Sequence, residues 1–138
     1  IFKCVNGDKY VGQFKEGYMC GMGTYTWKNG DIYTGQWKND LQNGHGKLTK
    51  KSGDVFDGTF KDGKPDGQII IHYANGCKYK GTFKQGKRNG PAIEEDREGK
   101  RFEGSYLDDK RDGKFVEKDR NGKIVKTGHY EGGRRFDD

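Results

Sequence analysis

Two aromatic residues flanking a glycine at alternate positions recur every 23 residues along this chain, and that period restricts the folds open to it. Tyr10-Val11-Gly12-Gln13-Phe14 is followed by Tyr33-Thr34-Gly35-Gln36-Trp37, Phe56-Asp57-Gly58-Thr59-Phe60, Tyr79-Lys80-Gly81-Thr82-Phe83 and Phe102-Glu103-Gly104-Ser105-Tyr106. A sixth copy, Lys126-Thr127-Gly128-His129-Tyr130, arrives after 24 residues without its first aromatic. Two further glycine series keep the register, Gly21, Gly44, Gly67, Gly90 and Gly113, then Gly30, Gly53, Gly76, Gly99 and Gly122. Repeats therefore start at residues 10, 33, 56, 79 and 102, with partial repeats over 1–9 and 126–138, in one array over 1–138. Such a period marks a stack of similar supersecondary units, each too small to bury a core alone.

Alternation within the repeat reads as strand, because successive side chains in a strand point to opposite faces. The two aromatics and the central glycine share one face, and the glycine leaves room for a neighbouring ring to lie over the backbone. Gly21, Gly23, Tyr25 and Trp27 define the same kind of face in a second strand. The Asn-Gly, Ser-Gly or Glu-Gly dipeptides before each new aromatic lie in a turn, the Asn-Gly ones are expected to close tight hairpins, and Asn6-Gly7 is read as the same turn. A longer loop is expected between Gly17 and Gly21. Repeats four and five carry Glu94, Asp96, Glu117 and Asp119 at positions that are apolar or aromatic earlier, so their second strands are expected to be short, edge-like or covered by a partner.

Composition agrees with a thin fold. Hydrophobic residues make up 29% of the chain and charged residues 35%, against an ordinary apolar share of about 45–50%. That is too little to fill a two-layer domain, yet 18 aromatics are too many for a disordered chain. The expected architecture is all-β: an elongated, single-layer, twisted antiparallel sheet of stacked β-hairpin repeats. No apolar run approaches the ~18 residues of a membrane span.

The pattern Y-x-G-x-W-x-x-G-x-x-x-G-x-G, with an Asn-Gly or Asp-Gly turn before the next Tyr, resembles the MORN repeat family, and the resemblance runs from Phe2 to about Gly133. It implies a binding array whose sheet holds partner segments. It further implies a cytoplasmic, cytoskeletal setting, a cilium or axoneme with its radial spokes, and it links the family to acidic phospholipids and to lipid-kinase-type enzymes that carry such repeats.

Motifs for chemistry are weak. Gly58 to Lys64 and Gly81 to Lys87 have P-loop spacing, but Pro65 and Arg88 follow where Ser or Thr is needed, and no helix is expected to face a phosphate. His45, His72 and His129 are scattered, and Cys4, Cys20 and Cys77 show no zinc-ligand spacing. No catalytic constellation is found, so no enzyme activity, cofactor or metal is expected. The odd cysteine count suits a reducing compartment.

Two binding features remain. The stripe Tyr10, Phe14, Tyr33, Trp37, Phe56, Phe60, Tyr79 and Phe83 reads as structural spine, as a groove for a partner segment, or as both. Lys64, Lys87, Arg88, Lys110, Arg111, Arg134 and Arg135 recur at the hairpin tips and read as solvated charge or as a basic edge for phosphates or an acidic tail. Expected partners are other proteins within a large assembly, or acidic phospholipid. Nucleic acid is disfavoured, since 21 acids offset 27 bases and the rings have structural work. Open strand edges favour end-to-end self-association.

Overall fold

Each repeat becomes two strands joined by a tight turn, and the strands add side by side in chain order. The computed structural model describes residues 2–138. The strands are β1 (Phe2–Val5), β2 (Asp8–Lys15), β3 (Tyr18–Thr26), β4 (Ile32–Lys38), β5 (Leu41–Thr49), β6 (Val55–Lys61) and β7 (Lys64–His72). They continue as β8 (Lys78–Lys84), β9 (Lys87–Glu95), β10 (Arg101–Leu107), β11 (Lys110–Arg111), β12 (Gly113–Lys118), β13 (Ile124–Glu131) and β14 (Arg134–Asp137). All belong to one open antiparallel sheet of 14 strands, and no helix occurs among the described residues.

The turns exchange the places expected for them. Glu16-Gly17, Asn39-Asp40, Asp62-Gly63, Gln85-Gly86, Asp108-Asp109 and Gly132-Gly133 have positive φ at both residues. These are two-residue hairpins, whose mirror-image geometry matches the twist of the flanking strands. Tyr18, Met19 and Cys20 are thus already strand, and the loop expected between Gly17 and Gly21 does not exist. The Asn-Gly dipeptides instead sit in five-residue loops such as 27–31, where the Trp27 N–H donates to the Asp31 carbonyl at 2.9 Å and the Gly30 N–H to the Trp27 carbonyl at 3.0 Å. The Asn29 side chain turns the chain locally by accepting from the Asp31 N–H at 2.9 Å. Asn6-Gly7, by contrast, does form a two-residue turn between β1 and β2.

Within each hairpin the register slips after the central glycine. Gly12 pairs with Gly23, but Phe14 pairs with Met19, so β3 carries two extra residues there, and the slip recurs at Gly35/Trp37, Gly58/Phe60 and Gly81/Phe83. The polar residue between glycine and aromatic satisfies the bulged backbone. Gln13 accepts from the Met22 N–H and Gln36 from the His45 N–H, each at 2.9 Å. Thr59 and Ser105 donate to the Asp66 and Asp112 carbonyls.

The core is one aromatic layer on one face. Tyr33 and Tyr79 are 0% exposed although no second layer covers them. Their rings lie down along the sheet instead: Tyr33 rests over Gly35 and Gly46, where any Cβ would strike its phenol. Edge-on ring contacts link Tyr10, Trp37, Tyr33 and Phe60, with centroids 5.1–5.5 Å apart. Three buried clusters follow along the array, the second around Ile69, Ile71, Tyr79, Phe83 and Tyr106, the third of Phe102, Phe115 and Tyr130.

Of the two second strands expected to be short or edge-like, that of repeat four is neither, and that of repeat five is shortened but not an edge. β9 runs nine residues, as long as its counterparts, is paired on both sides, and its Glu94 finds partners on the aromatic face. Repeat five alone is interrupted, at Asp112 between β11 and β12, and β12 is bonded on both sides rather than forming an edge.

Candidate partner-binding face

The aromatic stripe is mostly covered by its own sheet. Tyr10, Tyr33, Trp37, Phe60, Tyr79 and Phe83 are buried, whereas Phe14 and Phe56 are half-buried. Trp37 is tied down further by its indole N–H, which donates to the Gly23 carbonyl at 3.1 Å. The surface a ligand would meet is a second set of side chains packed against the stripe from the intervening strands and their ends: Met19, Tyr25, Trp27, Leu48 and Tyr73, all half-buried. The Tyr25 ring lies 4.7 Å from Trp27 and 5.7 Å from Trp37. Its hydroxyl donates to Asp8 Oδ2 at 2.8 Å. Burial, with that acceptor, pushes the Tyr25 phenol up to about 12. Beside it a cleft of about 150 Å³ is lined by Val5, Asp8, Tyr10, Met19, Tyr25 and Asp40.

The face changes character along the array. The position of Tyr25 holds Leu48, Ile71, Glu94 and Glu117 in later repeats. Glu94 accepts from the Tyr106 hydroxyl and from Arg111, each at 2.8 Å. Arg111 lies 3.8 Å over the Phe102 ring and also donates to the Tyr106 and Tyr130 hydroxyls. It thereby joins the second aromatic cluster to the third. Although desolvation opposes it, these acceptors hold its guanidinium well above the usual arginine range. Arg135 lies 4.6 Å over Phe115 and pairs with Glu117 and Asp137. Arg88 lies 4.6 Å over Tyr106 and pairs with Asp109 at 3.3 Å. A larger cavity of about 350 Å³ opens among Tyr73, Glu94, Phe102, Arg111 and Glu117.

The seven cations read from the hairpin tips therefore do not share one row. Each pair is two adjacent strand residues, which point to opposite faces. Lys64, Lys87, Lys110 and Arg134 are exposed, while Arg88, Arg111 and Arg135 lean onto the aromatic face. The exposed set gains Lys61 and Lys84, which stand directly opposite Lys64 and Lys87 in the register. The arginine placement was readable in principle. Carrying the alternation back from Gly113 and Gly90 through residues 111 and 88 puts both on the aromatic face, but only if those residues are strand.

The family model described as MORN repeat matches residues 10–32, 33–55, 56–78, 79–101 and 102–123. No curated protein matches the chain.

Proposed function

From the premise that this chain belongs to the MORN repeat family, whose repeats generally mediate protein or membrane-lipid binding, we propose that it is a non-catalytic scaffold that holds partner polypeptides along its aromatic face. The observation that carries this is the half-buried set of Met19, Tyr25, Trp27, Leu48 and Tyr73 lying in the open on a one-layer sheet. Apolar side chains left partly uncovered on one face are candidate interaction surface. A partner would extend the aromatic layer already present, burying rings that have two polar handles, the Tyr hydroxyl and Trp N–H, to fix orientation. The assembly proposed is cytoskeletal, and within that ciliary or axonemal, on the strength of the family.

The test is affinity capture with the chain and with a triple variant, Tyr25→Ser, Trp27→Ser and Tyr73→Ser. These residues are half-buried, so the sheet is expected to survive, as far-UV circular dichroism would show. Loss of the captured partners supports the reading; a folded variant that retains them all overturns it. The cytoskeletal setting is tested by imaging a tagged chain in ciliated cells, where a signal away from axoneme and cortex removes it.

A membrane reading is favoured by one separate observation. Lys61 faces Lys64, and Lys84 faces Lys87, directly across the strand pairs. Like charges placed this way destabilise a sheet, and an anionic surface would offset that repulsion at about 1 kcal/mol per lysine. Flotation of vesicles with and without anionic lipid, at low and high salt, decides it: binding that ignores lipid charge and salt counts against this reading.

A further inference from the structure

Asp40 and Asp109 occupy the same position in repeats two and five, and both accept from the backbone N–H of the residue 21 positions earlier at 2.7 Å. In the second case that residue is Arg88, whose guanidinium turns back onto the Asp109 carboxylate while lying over Tyr106. In the first case it is Met19, and Trp37 stands at the place of Tyr106. The carboxylate and the aromatic platform are thus present twice, but the cation only once. The same contrast holds elsewhere on the face. Glu94 has Arg111 and Glu117 has Arg135, whereas among residues 4–138, whose side chains are described, no lysine or arginine pairs with Asp40 or with Asp8.

Asp8 and Asp40 both line the cleft floored by Tyr10, Met19 and Tyr25. Each is held in place by a backbone donor, Lys28 N–H to Asp8 and Met19 N–H to Asp40, both at 2.7 Å. At about 150 Å³ the cleft is smaller than the ~300–1,000 Å³ of small-molecule sites, and suits one side chain. We propose that this cleft receives an arginine side chain from a partner polypeptide, supplying in trans the cation that Arg88 supplies in cis three repeats further on. The stem of the incoming arginine would cover Met19 and Tyr10, and its planar head would meet the carboxylates beside the rings. The inference rests on the aromatic face being the partner-binding face, and adds that the segment bound at its first repeat is basic.

The test uses n-propylguanidinium as the probe and n-butyramide as its neutral counterpart, followed by backbone and methionine-methyl NMR. The cation is expected to shift Met19 and Tyr25 and their neighbours in saturable fashion, and the amide is not. Asp40→Asn keeps the backbone acceptor and tolerates the left-handed backbone, and is expected to weaken the probe about tenfold, the effect of losing one charge-assisted contact. Met19→Arg installs the missing cation within the chain, and is expected to abolish probe binding. Equal shifts with the amide, no saturable shift with the cation, or unaltered binding in the folded Asp40→Asn variant would each overturn the proposal. Partner capture weakened in Asp40→Asn supports the proposal; capture unaltered there, with probe binding lost, overturns the partner arginine and leaves the scaffold standing, whereas absence of any capture by the aromatic face overturns both.

Discussion

Ala92 stands beneath the Tyr79 ring where Gly23 and Gly46 lie beneath Tyr10 and Tyr33, and Tyr79 is the stripe tyrosine whose buried hydroxyl has no protein partner. Tyr10 and Tyr33 donate to the Gln13 and Gln36 carbonyls at 3.0 Å. The methyl of Ala92 takes space that the other rings use to reach that carbonyl. Repeats three and five put Ile69 and Phe115 at this position and carry Phe56 and Phe102, which have no hydroxyl to satisfy.

Tyr33→Phe is therefore expected to lower stability by about 1 kcal/mol, the net worth of one hydrogen bond, while Tyr79→Phe is neutral or stabilising. Gly46→Ala should cost at least the ~1–3 kcal/mol of orphaning the Tyr33 hydroxyl, since the new Cβ also displaces the buried ring. In a Tyr33→Phe background it should cost less, since nothing is left to orphan. Urea titration of the four proteins in a double-mutant cycle measures the coupling.

Arg111 ties two aromatic clusters together through one guanidinium. Arg111→Met should destabilise the chain by about 1–3 kcal/mol, below the 3–5 kcal/mol of a fully buried pair because both partners keep some exposure. Arg111→Lys should rescue little of this, as an ammonium cannot stack on Phe102 while reaching Glu94, Tyr106 and Tyr130 together. Hydrogen exchange read strand by strand should show the loss concentrated in β10, β12 and β13, because an array melts locally between weakly coupled neighbours.

At Asp40 a left-handed backbone, φ 69°, coincides with a side chain that caps Met19. Asp40→Ala loses the bond and keeps the strained backbone, and should cost about 2 kcal/mol. Asp40→Gly loses the bond but relieves the backbone, so it should cost less than about 1 kcal/mol. Thermal unfolding that ranks alanine at or above glycine would contradict this account.

Stability should fall at both ends of the pH scale, for different residues. The Lys51 N–H, bonded at 2.9 Å, holds the Asp31 carboxyl below the usual range, with Lys50 assisting. A depressed carboxyl contributes stability that is present above the unfolded value near ~3.9 and is lost as pH falls through the folded one. Burial pushes the Tyr33 phenol up to about 12. A raised phenol contributes stability that is full below its unfolded value of ~10 and is lost as pH rises from there through the folded one. Asp31→Asn should flatten the acid limb and Tyr33→Phe the alkaline limb in pH-dependent urea midpoints.

The period of 23 residues by itself determined the all-β class, the two strands per repeat, the single sheet and the face on which the rings lie, because strand alternation and glycine spacing are local properties. It could not say which of two glycine-bearing segments makes the tight turn. Asn29-Gly30 and Glu16-Gly17 both tolerate positive φ, and only pairing across the whole strand selects the second as the hairpin. That choice turns Met19, Arg88, Arg111 and Arg135 from loop into strand, or its immediate continuation, and so onto the aromatic face. Whether each then meets a carboxylate depends on Asp40, Asp109, Glu94 and Glu117, which lie on other strands or turns 17 to 21 residues away. Charge neutralisation is a property of such long-range neighbours, and for that reason only the tertiary structure showed an acidic cleft that no cation among the described side chains enters.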